Sequence, residues 1–466
     1  MERVRAWPQW RASRRAVLAR EATLSSIAVT ASAGVLSACA SGAGSAAPAS
    51  TGCKSEVDFV SPFNVGSGNG DGLMKVAEDY AAANQGCKAN MLFVSANNTE
   101  IMEKLVAAVV AGTPPAVALV PAQQTPLWIG KGVIQPLTKL AQRDKVSKEQ
   151  FFEGYWPQME LQGQLWRLPL QIDVNFPLFW NKAMLRAGGF PTEKPPATID
   201  ELDRLAIALT RSPGEPNGQL GVVPWREYNE ANSLQTWAYA FGGNFHDTSA
   251  TKITANDPKV VQALEWMVGW AKRVGGYDPI QQVLAADPNG HVGVFASGRL
   301  AFTALTSDAG PTAQKINPQL ELAGGPWPGS GSVKPGEATW LSGRGIGIVQ
   351  GAKDLDAAWR FVRWVAATND GTESCVRRFN AVPGLKSSPG LKLLEQNPPL
   401  APYVVALRAA KHTPPGAILP IDVWGNNRNQ LIIAALKQQR SARDALDEVT
   451  RASQVELDAE LARSKK

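Results

Sequence analysis

The chain has 466 residues, 44% of them hydrophobic and 19% charged, enough for an ordinary globular core and, by length, for more than one domain. Its net charge of +6 points to nucleic acid only until it is localised: the first 38 residues hold six arginines against Glu2 and Glu21, a surplus of four that leaves two positive charges for the remainder. With no basic stripe or lysine run to neutralise phosphates, nucleic acid is excluded as a partner. With no later apolar run of about 18 residues, so is a second membrane-spanning segment.

Arg3, Arg5, Arg11, Arg14, Arg15 and Arg20 precede an uncharged stretch from Ala22 to Ala38, the layout of an export signal. Ser13-Arg14-Arg15-Ala16-Val17-Leu18 resembles a twin-arginine motif. Leu36-Ser37-Ala38-Cys39 resembles the lipobox at which bacterial lipoproteins are cleaved and lipidated on cysteine. The alternative, an N-terminal membrane helix with an incidental cysteine, suits the segment poorly because it is short and Ala/Ser-rich. The expectation is a signal over 1–38 and a lipid anchor on Cys39 that opens a low-complexity tether over 39–52. The protein would then be exported and held at the outer face of the cytoplasmic membrane by that lipid alone.

Cys53 precedes the strand-like Val57-Asp58-Phe59-Val60, and Cys87 precedes the similar Asn90-Met91-Leu92-Phe93-Val94. If these are neighbouring parallel strands, both cysteines lie at one sheet edge and can bridge in an oxidising compartment; two separate thiols are the alternative. Helical spacing over Leu73–Ala83 and Ile101–Ala111 and a third apolar run, Ala116–Val120, complete a strand-helix-strand-helix-strand series, which implies a parallel sheet flanked by helices. Gly163–Leu170 reads as a hairpin strand and Phe176–Trp180 as a further strand. Thr198 with Glu201 three residues on forms a capping box that starts a helix through Ala208. Further helices are expected over Ala231–Phe241, Pro258–Val274, Leu355–Ala367 and Leu431–Leu461, and strands over Arg299–Thr306 and Gly345–Val349. Cys375 falls in a helical pattern and reads as a buried thiol.

The order of several short motifs resembles the family 1 extracellular solute-binding proteins of ABC transporters. They are Gly112-Thr113-Pro114-Pro115-Ala116-Val117, Gly132–Leu137, Leu168-Pro169-Leu170, Phe179-Trp180-Asn181-Lys182, Ala187-Gly188, Pro195-Pro196-Ala197-Thr198, Val294–Phe302, Ala357–Trp364 and Ala381–Gly384. Trp180 stands where the family usually has tyrosine. The resemblance runs from Glu56 to Ala462 and implies an α/β protein of two lobes, of the periplasmic-binding-protein type II, each a mainly parallel sheet flanked by helices. On this reading residues 53–175 and 307–350 form the N-terminal lobe, and 176–306 and 351–466 the C-terminal lobe. Crossings are expected near Asn175–Phe179, Thr303–Ser307 and Val349–Gly351. A small carbohydrate would be trapped between the lobes by hinge closure and passed to the permease subunits of an ABC importer, by a monomer that needs no cofactor or metal.

Fifteen tryptophans against six tyrosines direct the search for the site, because sugar rings offer apolar faces to indoles and hydroxyl rims to polar side chains. Trp225 opens a loop before the helix that holds Asn232; it either stacks on ligand or pins the helix start. Asp173 and Asn175 follow a strand and either bind hydroxyls or form an Asx turn at the hinge. Ser307 and Asp308 follow a strand end, and Trp340, Ser342 and Arg344 lie in what reads as a loop before Gly345. Trp424 either faces ligand or caps the C-terminal helices. Asn64 follows the first strand and Gln123 the third, while the glycine-rich Gly66–Gly72 lacks the lysine and Ser/Thr of a phosphate loop. An acidic residue that the glycerol-phosphate branch carries near Gln123 is absent, which weakens glycerol 3-phosphate as the alternative ligand. A secreted glycosidase is the rival class: the three histidines are scattered and no HExxH or GxSxG motif occurs, though a pair of carboxylates alone would suffice for one.

Overall fold

The computed structural model describes residues 5–6, 55–94, 97–226, 229–307, 309–425 and 427–463. Apart from Arg5–Ala6, the expected export signal, Cys39, the tether and Cys53 lie outside the described residues. The first sheet has five principal strands: β1 (Glu56–Ser61), β2 (Lys88–Phe93), β3 (Val117–Pro121), β4 (Leu168–Asn175) and β8 (Trp340–Ile348). Their order is β2-β1-β3-β8-β4, and Arg5–Ala6 pairs parallel with the outer side of β2. β1, β2 and β3 are mutually parallel, whereas β8 runs antiparallel to both neighbours. Val57, Phe59 and every residue of β3 are buried, as expected of strands covered on both faces.

The helices that cover this sheet start where the chain offers caps. Ser67 Oγ accepts from the Gly70 amide at 3.0 Å to start α1 (Gly68–Ala83), and Asn97 Oδ1 accepts from Thr99 and Glu100 to start α2 (Asn98–Val110). The glycine-rich stretch is therefore the first turn of α1. A Cβ at Gly70 would sit 1.9 Å from the Asn64 carbonyl oxygen and one at Gly72 2.5 Å from Phe379 Cβ, so these glycines admit close packing.

The second sheet is β5 (Leu178–Asn181), flanked by β6 (Phe302–Ala304) on one side and β7 (Leu322–Gly325) on the other, all antiparallel. The expectation of a mainly parallel sheet thus holds for β1–β3 and not for this lobe. Leu178-Phe179-Trp180 is buried throughout and needs a partner at each edge. β7 supplies one, and it keeps Ala309–Ile316 and β7 with the second sheet; the return to the first sheet falls between Gly325 and Trp340, not at Thr303–Ser307. Val349–Gly351 is no crossing either, since the Val349 and Gln350 amides bond to Ala116 and Val133 of the first lobe.

Helix α5 (Leu355–Ala367) and helix α6 (Asn369–Phe379), assigned from sequence to the C-terminal lobe, lie on the first sheet. Phe361 rests 5.1 Å from Phe59 and 5.0 Å from Tyr80, and Arg378 pairs with Asp79 of α1 at 2.7 Å. The apolar face of α5 finds its complement there. In the second lobe α3 (Glu230–Phe241) packs on α4 (Pro258–Arg273), with Trp237 fully buried 4.5 Å from Trp266 and 4.7 Å from Trp327. Thr198 caps its helix as expected, its Oγ1 accepting from the Glu201 amide at 3.1 Å. The expected Leu431–Leu461 helix is two, Asn429–Leu436 and α7 (Ala442–Arg463), broken where Gln438 takes φ 58°. Cys87 is disulfide-bonded. Cys375 is free and buried, and burial pushes its thiol up to about 12.

Candidate ligand cleft

The parallel strands end at Ser61, Phe93 and Pro121, and β4 ends beside them at Asn175, so the carboxyl edge of the first sheet faces the second lobe. This is where open α/β sheets place ligands. Strand alternation sets the chemistry of that edge. Gln171, Asp173 and Asn175 occupy alternate positions of β4, paired in register with Arg344, Ser342 and Trp340 of β8. Leu170, Ile172 and Val174 occupy the intervening positions and are buried. What reads from sequence as a loop over 339–345 is thus the first half of β8, and its polar residues are presented in strand register.

Two irregularities adjust β8. Gly343 has φ +109°, and a Cβ there would lie 2.2 Å from the Gln171 carbonyl oxygen. The β4 register then shifts between Arg344 and Gly345, a bulge of the kind that re-aims a side chain. From this position Arg344 Nη1 donates to Asn98 Oδ1 at 3.1 Å while the guanidinium lies 5.1 Å from the Phe63 ring centre. Burial holds the Arg344 pKa below its ordinary value, partly offset by the Asp173 charge.

Asp173 and Arg344 together line two cavities between the lobes. The smaller, about 280 Å³, is bounded by Phe63, Asn69, Gln171, Asn175, Ser307 and Tyr403, among others. The larger, about 470 Å³, runs past Asn98, Gln123, Ser342, Asp422, Glu456 and Glu460. Both walls contribute: Ser307, Tyr403, Asp422 and the C-terminal helix α7 oppose the first sheet. Gln123 Nε2 donates to Ser342 Oγ at 3.4 Å, linking the ends of β3 and β8. Arg344 is the one cation among the described residues lining either chamber, against Asp173, Asp422, Glu456 and Glu460. Glu456 is paired with the buried Arg428 at 2.7 Å, and Glu460 with Arg463.

Behind β8 lies a polar network with no sequence signal beyond its residue types. Arg167 is fully buried and donates to the Gln158 carbonyl at 3.2 Å, Gln158 Oε1 at 3.1 Å and the Tyr155 hydroxyl at 2.8 Å. Gln158 Nε2 in turn donates to the Leu341 carbonyl at 2.8 Å. The network ties the cleft strand to the body of the lobe.

Of the residues selected from sequence, Gln123, Asp173, Asn175, Ser307 and Arg344 line the two chambers. Asn64 lines neither; its carbonyl accepts from Ser67 Oγ at 2.7 Å and holds the start of α1, while its neighbour Phe63 takes the cleft position. Trp225 is wholly buried, with Nε1 donating to Gln281 at 3.3 Å and its ring 5.5 Å from Tyr277, so it offers no face to a ligand in this conformation. Trp340 is buried too, and its Nε1 donates to Thr236 of α3 at 2.9 Å, riveting one lobe to the other. Trp424 is half-buried, edge-on to Phe245 at 5.4 Å and bonded weakly to Gln235 at 3.5 Å. The Asn232 amide is held by the Asn229 cap at 2.9 Å, and its side chain lines neither chamber. Asp308 lies outside the described residues. Sequence reasoning missed Gln171, Tyr403 and Glu456; alternation with Asp173 could have found the first, while the others depend on how the lobes meet.

A third cavity, about 330 Å³, lies at the far end of the second sheet, but its polar groups are committed internally. Asn317 Nδ2 donates to the Ala296 carbonyl at 2.8 Å, Gln219 Nε2 to the Leu209 carbonyl at 2.9 Å, and Glu321 is gripped by Arg186. No group of three or more His, Cys, Asp or Glu placed to hold a metal ion occurs among the described residues.

Two lobes with a polar cleft at the strand ends are an architecture suited to binding a small molecule. The chain belongs to the bacterial extracellular solute-binding protein family, whose model matches residues 75–402. It is 22% identical over 247 residues to the maltotriose-binding protein of Pyrococcus abyssi, a match covering 51% of this chain and about half, 48%, of that protein. Similar solved structures include CpMnBP1 with mannotriose bound (TM-score 0.68, 21% identity, 85% of this chain and 99% of that one). Others are the cyclic α-maltosyl-1,6-maltose binding protein of Arthrobacter globiformis (0.68, 20%, 86% and 98%) and a Thermotoga lettingae solute-binding protein bound with α-D-tagatose (0.66, 19%, 87% and 100%). These likenesses show the two-lobed type II fold.

Proposed function

We propose that this protein captures a neutral carbohydrate in the cleft around Asp173 and Arg344 and delivers it to the permease of an ABC importer, without turning it over. The observation that carries the reading is the cleft itself: two chambers between the lobes, lined by amides and hydroxyls, with Asp173 and Arg344 at both and Asp422, Glu456 and Glu460 at the larger. Such a rim suits hydroxyl groups, each of which both donates and accepts. The ligands of the similar proteins, mannotriose, a cyclic maltosyl-maltose and tagatose, support the choice of sugar. A phosphorylated solute such as glycerol 3-phosphate fits less well, because the single lining cation already faces Asp173, and Asp422, Glu456 and Glu460 would repel an anion. Export followed by lipidation at Cys39 would place the cleft outside the cytoplasmic membrane, within reach of the permease.

A thermal-shift panel of mono-, di- and oligosaccharides with glycerol 3-phosphate tests this. One or a few neutral sugars should raise the melting temperature, with no product formed on overnight incubation. Stabilisation by glycerol 3-phosphate alone, or hydrolysis of the stabilising sugar, would contradict it.

A further inference from the structure

The two chambers share part of their lining. Asp173 and Arg344 are the residues that line both, and Arg344 is held from both sides: Asn98, which receives its Nη1 hydrogen bond at 3.1 Å, belongs to the larger chamber, and Phe63, 5.1 Å beneath the guanidinium, to the smaller. Its backbone is equally determined, between the positive-φ Gly343 and the register shift before Gly345, with Pro121 of β3 opposite on the other edge. A long flexible side chain on an open rim would be free to swing away. This one is planar, partly desolvated and bonded at its tip, so it stands as a fixed wall.

We propose that Arg344 partitions the cleft and thereby sets the length of saccharide the protein accepts. The inference rests on the carbohydrate reading above. At about 280 and 470 Å³ each chamber lies near the lower end of the range for small-molecule sites, roughly 300–1,000 Å³, whereas the two joined would lie well within it. A saccharide that fits one chamber meets the guanidinium at its end, where the fork donates to ring or glycosidic oxygens. A longer chain has to displace Arg344 from Asn98 and Phe63 before it can occupy both chambers.

The test is calorimetric titration of the full chain and its variants with two series, maltose to maltotetraose and mannobiose to mannotriose, reading the ratio of affinities for the longest and shortest member bound. Arg344→Ala should change that ratio at least tenfold in favour of the longer sugar. Arg344→Met, which keeps most of the bulk and loses the charge and the hold on Asn98 and Phe63, should weaken all lengths and move the ratio in the same direction by clearly less than Arg344→Ala does. Equal loss at every length in Arg344→Ala, or the same ratio change in both variants, would overturn the partition and leave the carbohydrate reading standing. No binding of either series by the unaltered chain, with another neutral sugar bound instead, overturns the partition and leaves the carbohydrate reading standing; binding of no saccharide at all overturns both readings. If Arg344→Ala fails to fold, Asn98→Ala and Phe63→Ala, which release the side chain from opposite sides, should move the ratio in the same direction.

Discussion

Trp225 and Asp173 separate what a residue's type suggests from what its surroundings allow. A tryptophan opening a polar loop suggests a stacking platform, but Trp225 is closed in by Tyr277 and bonded to Gln281. Trp225→Ala should therefore destabilise the protein by about 3–5 kcal/mol through the cavity left behind, measured by urea unfolding, and any loss of binding should follow from that. Selective loss of binding at unchanged stability would return Trp225 to the ligand. The half-buried histidines are legible only in the structure. Burial brings His412 down to about 4, with Lys411 adding to the effect and Glu337 opposing it; its ring stacks 4.0 Å from Tyr239. His291 is brought down to about 4 by burial and Arg226. Both are neutral when folded and bind protons more readily when unfolded, so their contribution to stability should be fully present above the ordinary value of 6.5 and be lost as the pH drops from there to about 4. His412→Phe, which can keep the stack, should remove its share of that fall in pH-dependent unfolding midpoints.

At the scale of elements, periodicity located the helices well: Leu355–Ala367 is as expected and Glu230–Phe241 differs by one residue. It failed where a strand is polar or interrupted. Trp340–Arg344 reads as a loop because glycine at position 343 and polar residues at 342 and 344 break the apolar pattern, yet β4 holds it in register along its length and β3 joins it at Arg344. Those interruptions are the cleft. Gly343→Ala should cost about 2–3 kcal/mol or more, since the new Cβ meets the Gln171 carbonyl at 2.2 Å in a backbone conformation that disfavours side chains, and it should lower ligand affinity by displacing Arg344. A variant of unchanged stability and affinity would show that the strand tolerates a different path there. The assignment of α5 and α6 to the wrong lobe has another cause: an apolar helical face says that it will be buried, not against which sheet. Phe59 and Tyr80 decide that, through contacts some 300 residues apart in sequence.

For the whole molecule, the order of short motifs carried the two-lobed architecture, and the carboxyl ends of the first sheet carried the position of the cleft. The far wall was not legible: Tyr403, Asp422 and Glu456 reach the cleft only because the chain after the second sheet returns to the first, where Leu341 bonds to the His412 carbonyl and Thr413 to Gly154. A cleft with residues from both sides is what lets closure bury a ligand and signal its capture. The most direct measurement of this is calorimetric titration of the full chain with the sugar that stabilises it best, beside Asp173→Asn. The account predicts saturable one-to-one binding with the sugar recovered intact, and an affinity at least tenfold weaker in Asp173→Asn at an unchanged melting temperature. Unchanged affinity in that variant, or conversion of the sugar, would contradict it.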